Sequence, residues 1–205
     1  MRLVSILSVM IVMLAVICDA GFAQKAVDFK QIVERDGLKY KVDSEDPFTG
    51  KIIAYYPNGK KQADGEYRDG KEQGKWTYWY ENGQKQREGE IRAGKEHGKW
   101  IAWYENGQKE EEGEFRAGKQ SGKWTYWYEN GQKKLEGEYR DGKEHGKVTF
   151  WYENGQKETE GAARDGQSHG KWTYWYENGQ KDGEVVYRDG KLISKKKWDK
   201  NGNPE

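Results

Sequence analysis

The sequence predicts an all-β protein: an elongated, twisted, single antiparallel meander of short strands. Three observations predict it. The dipeptide Asn-Gly recurs at 58–59, 82–83, 106–107, 130–131, 154–155 and 178–179, a constant step of 24 residues, and a fixed period of that length marks a repeat architecture. Between these dipeptides lie runs such as Lys75-Trp76-Thr77-Tyr78-Trp79-Tyr80-Glu81, rich in the aromatic residues that strands favour. Gly numbers 27 and Pro only 3 among 205 residues, a balance that suits tight turns and disfavours helix.

Residues 1–23 stand apart from the rest. Arg2 supplies a positive start, Leu3 to Ile17 is an almost purely apolar run, and Gly21-Phe22-Ala23 places small residues where signal peptidase requires them. The segment is expected to be a signal peptide cleaved between Ala23 and Gln24. An uncleaved N-terminal anchor and lipoprotein processing at Cys18 are the alternatives. The run is short for a membrane span, and Ile17 is not the small residue that lipoprotein processing needs before the cysteine. Cleavage removes Cys18, the one cysteine of the chain, which leaves no disulfide and no thiolate metal site. Residues 24–49 are expected to form an N-terminal cap. There Asp36-Gly37 separates two short apolar stretches as an extra hairpin would, and arrays need protected ends.

The array occupies residues 50–205, in about six units of two strands each. Asn-Gly suits the two positive-φ positions of a type I′ turn, so Gly83, Gly107, Gly131, Gly155 and Gly179 are expected to be structural, with Asp-Gly or Ala-Gly reversing the chain at the other end. A two-residue loop at Asn82-Gly83 makes paired residue numbers sum to 165: Tyr80 faces Lys85, Trp76 faces Gly89 and Lys75 faces Glu90. Trp76, Tyr78, Tyr80 and Ile91 then share one face, and Thr77, Trp79, Glu90 and Arg92 the other. The column of Gly65, Gly89, Gly113, Gly137 and Gly161 leaves room for indole rings. Two strands per unit advance the sheet by roughly 10 Å, and a sheet this long twists. Nothing in the sequence supplies a second layer, so the stacked aromatics must be the core. Lys195-Lys196-Lys197 is expected to make a charged edge that blocks sheet extension.

The repeated strings Tyr-Glu-Asn-Gly-Gln-Lys, Glu-Gly-Glu-Tyr-Arg-Asp-Gly-Lys and His-Gly-Lys-Trp, as at 128–133, 136–143 and 169–172, resemble the MORN repeat in its bacterial variant form. The lead-in Asp36-Gly37-Leu38 and Pro47-Phe48-Thr49-Gly50-Lys51 resembles the start of a bacterial family labelled as antitoxins of toxin–antitoxin systems. The resemblance spans nearly all of residues 36–202. It implies a scaffold or binding module, in some members one that touches membranes or phosphoinositides. The antitoxin label implies a partner of a toxin, although classical antitoxins act in the cytoplasm and this chain carries an export signal.

Function is less legible than fold. Lys+Arg at 36 against Asp+Glu at 35, a net charge of +1, is no basis for nucleic-acid binding driven by bulk charge. His97, His145 and His169 share one repeat phase, too far apart for a common metal ion. Every carboxylate pair copies another pair, and no nucleophile stands in a unique setting, so no catalytic site, metal or cofactor is expected. Trp76, Trp100, Trp124 and Trp172 are expected to be structural core. Trp79, Trp103, Trp127, Trp151 and Trp175 fall on the opposite, wetter face and are the candidate binding row. Should the faces be inverted, Tyr80, Tyr104, Tyr128, Tyr152 and Tyr176 take their place. The Arg68, Arg92, Arg116, Arg140, Arg164 and Arg188 column is expected to pair with Glu66, Glu90, Glu114 and Glu138 and to pack on the Trp row. The expected role is a non-enzymatic, exported (periplasmic, cell-surface or secreted) scaffold binding a protein or envelope component. A toxin-neutralising partner and an adhesin that grips a glycan or membrane surface are the alternatives.

Overall fold

The computed structural model describes residues 26–205. The expected cleavage site at Ala23 and Gln24, with the segment before it, lies outside the described residues. The strands are β1 (Val27–Asp28), β2 (Ile32–Arg35), β3 (Leu38–Lys41), β4 (Gly50–Tyr55), β5 (Lys61–Arg68), β6 (Lys71–Trp79), β7 (Lys85–Arg92), β8 (Lys95–Trp103), β9 (Lys109–Arg116), β10 (Lys119–Trp127), β11 (Lys133–Arg140), β12 (Lys143–Trp151), β13 (Lys157–Arg164), β14 (Gln167–Trp175), β15 (Lys181–Arg188) and β16 (Lys191–Lys197). β4 to β16 follow one another in a single antiparallel meander, and β1 adds to it in parallel beside β4. β2 and β3 form a separate hairpin through Asp36-Gly37. That hairpin packs Ile32 against the start of the core, alongside Phe48 and Ile52.

The type I′ turn expected at Asn-Gly is not found there. At Asn-Gly the loop is longer than two residues. Tyr80 N–H donates to the Gln84 carbonyl, Gly83 N–H donates to the Tyr80 carbonyl, both at 2.9 Å, and only Gly83 has positive φ, at 93°. That is a type I turn closed by a left-handed glycine. Asn82 serves through its side chain: Oδ1 accepts from Gln84 N–H at 2.8 Å, while Nδ2 donates to the Glu105 carbonyl one unit on. The type I′ turn lies at the other end, where Asp69 and Gly70, or Ala93 and Gly94, are both at positive φ.

The pairing Tyr80–Lys85 is therefore replaced by Trp79–Lys85. Gln86 then bulges out, and from Tyr78–Arg87 onward the partners sum to 165, Trp76 facing Gly89 as the alternation predicted. A second bulge was not anticipated: between β5 and β6, Gly74, Lys75 and Trp76 stand opposite the single residue Gly65.

This second bulge decides where the indoles go. Trp76 is paired with Gly89 but lies over Gly65 on the preceding strand; Gly89 is covered by Trp100, Gly113 by Trp124 and Gly161 by Trp172. The glycine column does make room for rings, but each ring belongs to the next unit's Trp. Trp76, Trp100, Trp124 and Trp172 are buried, and the Nε1 of Trp100, Trp124 and Trp172 donates to backbone carbonyls at 3.0–3.1 Å. Both long edges of the sheet are stapled. Tyr56, Tyr80, Tyr104, Tyr128, Tyr152 and Tyr176 donate their hydroxyls to the carbonyl of the Trp one unit on. At the opposite edge Gly94 N–H donates to the Glu72 carbonyl and Gly118 N–H to that of Glu96. Units thus stack through rings at the centre and hydrogen bonds at both rims. At the C-terminal end β16 is exposed along its whole length.

Candidate functional site

The face opposite the buried indoles is built from three residues per unit that alternate with them along the strands. Lys75, Thr77 and Trp79 on β6 meet Glu88 and Lys85 on β7. Glu88 accepts from two lysines, Lys75 at 3.1 Å and Lys85 at 2.7 Å. Lys123–Glu136–Lys133, Lys147–Glu160–Lys157 and Lys171–Glu184–Lys181 repeat the arrangement, and Lys99–Glu112–Lys109 completes the series. In each group one carboxylate serves two ammonium ions, so the face keeps one excess positive charge per unit. The lysine hydrogen bonds depress the carboxyl pKa of Glu88, Glu112 and Glu160, and those from Lys171 and then Lys181 bring Glu184 down to about 2.

The candidate row sits among these charges. Trp79, Trp103, Trp127, Trp151 and Trp175 are all partly exposed. Lys61, Lys85, Lys109, Lys133 and Lys157 place their ammonium groups 5.2–5.7 Å above the respective rings, within range of cation–π attraction. The cation over each Trp is thus a lysine from the unit before, in place of the expected arginine. In the arginine column Arg92 pairs with Glu90 at 3.0 Å and Arg164 lies 3.9 Å from Asp189. The alternative tyrosine row is occupied with the rim staples described above.

Consecutive Lys–Glu–Lys groups enclose a trough. One of about 430 Å³ lies between Lys99, Lys123 and Lys133, walled by Trp127 and floored by Gly113 and the buried Thr125. The same trough recurs one unit on beside Trp151, with about 230 Å³, and near the N-terminal end over Gly65 and Thr77, with about 430 Å³. Gly83, Gly107, Gly131, Gly155 and Gly179 lie at the turns, with φ between 82° and 93°, and hold the strand ends in phase. Two of the histidines make turn contacts: His169 Nδ1 lies 3.2 Å from Asp189 and His145 Nδ1 3.5 Å from Asp165.

One feature of the other face escaped the sequence reading. The step of 24 from Ala63 runs through Arg87, Glu111, Leu135, Thr159 and Gly183, so this column does break the repeat symmetry. Reading it column by column would have found it.

Residues 48–69, 72–92, 96–117, 120–141, 144–161 and 168–189 match the family model described as MORN repeat variant. No curated protein matches the chain.

Proposed function

The chain belongs to the MORN repeat variant family, and on that premise we propose that it is a non-enzymatic, exported binding scaffold that presents its Trp- and Lys-bearing face to a macromolecule of the cell envelope. MORN repeats are commonly protein- or membrane-binding modules. The observation that supports this face is its regularity. Five partly exposed indoles lie in one repeat phase, each beneath a lysine, on strands whose register and rims are held by hydrogen bonds. Partly exposed aromatics on a rigid framework are the residue type that dominates binding energy, and an array multiplies a weak contact by avidity.

The test is capture from the organism's own envelope fraction with the full chain and two variants. Trp127→Ala is expected to lose partner while keeping the thermal transition of the unaltered protein. Trp124→Ala is expected to lose stability instead. Equal loss of stability from both would refute the assignment of faces. Export is tested by mass spectrometry of protein recovered from cells, with an N-terminus at Gln24 expected. Recovery of intact Met1 in the cytosol would overturn export and restore the toxin-neutralising reading.

A further inference from the structure

One row of side chains crosses the ring-bearing face from strand to strand. The register places Ala63 beside Tyr78, Tyr78 beside Arg87, Arg87 beside Ala102, Ala102 beside Glu111 and Glu111 beside Tyr126. Further along, Leu135 lies beside Phe150 and Thr159 beside Tyr174. On the strands bearing Tyr78, Tyr126, Phe150 and Tyr174 the row holds a ring. At Ala102 it does not, and Arg87 and Glu111 flank the missing ring.

The two flanking charges are not equivalent. Arg87 is committed: its guanidinium lies 4.3 Å from the Trp100 ring centre and its Nη2 is 2.8 Å from Glu96. Glu111 is half-buried and makes no ion pair among the described residues, and burial holds its carboxyl above the ordinary range. Glu110 lies beside it. The cavity here, about 470 Å³, is floored by Ala102 and walled by Tyr78, Tyr80, Gln86, Arg87 and these two carboxylates. Arg87 and Glu96 cancel, so the cavity keeps an excess of negative charge between two phenol rings. An anion is repelled there, and an apolar group would leave Glu111 buried and unpaired, which is costly. A cation on a slim alkyl stem suits the tyrosine and carboxylate walls, with its head on the Glu110 and Glu111 side, across Ala102 from Arg87. Its stem fills the space of the missing ring, its head reaches the carboxylates, and the tyrosines add cation–π attraction. The rest of this face extends the same field through Glu72, Glu144 and Glu158, with Lys134 over Tyr128 as a local exception. On the opposite face the Lys–Glu–Lys groups leave one lysine per unit in excess, and the arginine column offsets Glu66, Glu90, Glu114 and Glu138. The near-zero net charge of the chain therefore conceals a separation of sign across the sheet.

We propose that the gap above Ala102, between Arg87 and Glu111, is a second binding site, on the face away from the Trp row, and that it receives a lysine or arginine side chain from a basic segment of a partner protein. The experiment titrates the full chain with the peptide (Gly-Lys)₄, following the Ala102 methyl signal by NMR, with (Gly-Glu)₄ as control. The Ala102 methyl is expected to shift with the basic peptide only. Ala102→Tyr restores the array's own ring without altering charge and is expected to weaken binding about tenfold or more, as is Glu111→Gln. Glu158→Gln, on the same face but outside the gap, is expected to bind within about twofold of the unaltered chain. Unchanged affinity of a folded Ala102→Tyr chain overturns the site, as does equal weakening by Glu111→Gln and Glu158→Gln. If Ala102→Tyr does not fold, the Ala102 methyl shift and the two glutamine variants decide alone.

Discussion

The units around Trp124 and Val148 differ at the central core position, and at Tyr139 against Ala163, and are packed in different ways. Trp124 is 1 % exposed, lies over Gly113, donates to the Glu114 carbonyl at 3.1 Å, and meets Phe115 edge to face at 4.9 Å between ring centres. Tyr126 stacks beside it and Tyr139 closes on it from the second strand of the same unit. Val148 is 0 % exposed, so the site is not hollow. An alanine methyl placed on Gly137 would find only Tyr139 at 3.4 Å and Val148 at 3.9 Å, where on Gly113 it would fall inside the indole. Beyond Val148 the core cluster is Val148, Ala163 and Trp172, and Trp172 is the most exposed of its column at 7 %. The unit of packing is thus a pair, a Trp and the glycine of the preceding strand. The C-terminal end shows the same rule: Lys196 stands at the Trp phase in place of an indole, and Val185 occupies the glycine phase and is buried.

The largest effect expected from breaking this pair is that of Trp124→Ala, about 3–5 kcal/mol of lost stability by chemical denaturation. Val148→Ala removes fewer atoms from a site already closed and is expected to cost clearly less. If the two costs are equal, the indole is not the principal packing element.

Gly113→Ala is expected to cost about 1–3 kcal/mol by overpacking. Gly137→Ala, at a position of ordinary φ where the added methyl would make only van der Waals contacts with Tyr139 and Val148, is expected to stabilise by about 0.4–1 kcal/mol through the unfolded chain. Opposite signs at two copies of one repeat position make a stringent check. In a Trp124→Val background the Gly113→Ala penalty is expected to vanish, since residues in contact are not additive.

Local opening should follow the same divide. Repeat units contact only their neighbours and open in segments. Amide hydrogen exchange is therefore expected to be faster in 148–171, where Ala162-Ala163 also replaces Glu-Tyr, than in 100–147. Uniform protection across both would mean that the collapse around Val148 replaces the lost ring in full.

Much of this was legible in the sequence because the period exposes it. The 24-residue step, the strands, the register from Tyr78–Arg87 onward and the opposed faces of Trp76 and Trp79 follow from spacing and alternation. The type of the Asn-Gly turn is not legible, because Asn-Gly fits two geometries. Here Asn82 is needed for its side-chain bonds to Gln84 and Glu105, and only Gly83 takes positive φ. The register survived because the longer loop and the Gln86 bulge offset each other. The displacement of each indole onto the preceding strand was hidden, since it depends on the bulge at Gly74, Lys75 and Trp76. The Arg87–Ala102–Glu111 gap was present in the sequence but falls in a variable column, where attention to the recurring residues passes over it.

The smallest expected effect concerns pH and sets the N-terminal half against the C-terminal half. Burial raises the carboxyl pKa of Glu72 and of Glu111, both on the ring-bearing face. Between 148 and 171 Glu160 is lowered, its bond to Lys157 first among the causes. A carboxyl with a raised pKa binds its proton more tightly in the folded chain than in the unfolded one, so stability increases as pH falls through the folded value towards the unfolded one. A lowered carboxyl does the reverse: its contribution is present above the unfolded value and is lost as pH falls through the folded one. Mild acidification, from neutral pH into the upper edge of the ordinary carboxylate range, should therefore raise protection around β6 to β9 and leave 148–171 unchanged. Exchange at two pH values, corrected for intrinsic rates, reads this directly. A loss of protection around Glu111 on acidification would show that its charged form is the one the fold holds, with the pull of Arg87 across the gap outweighing burial.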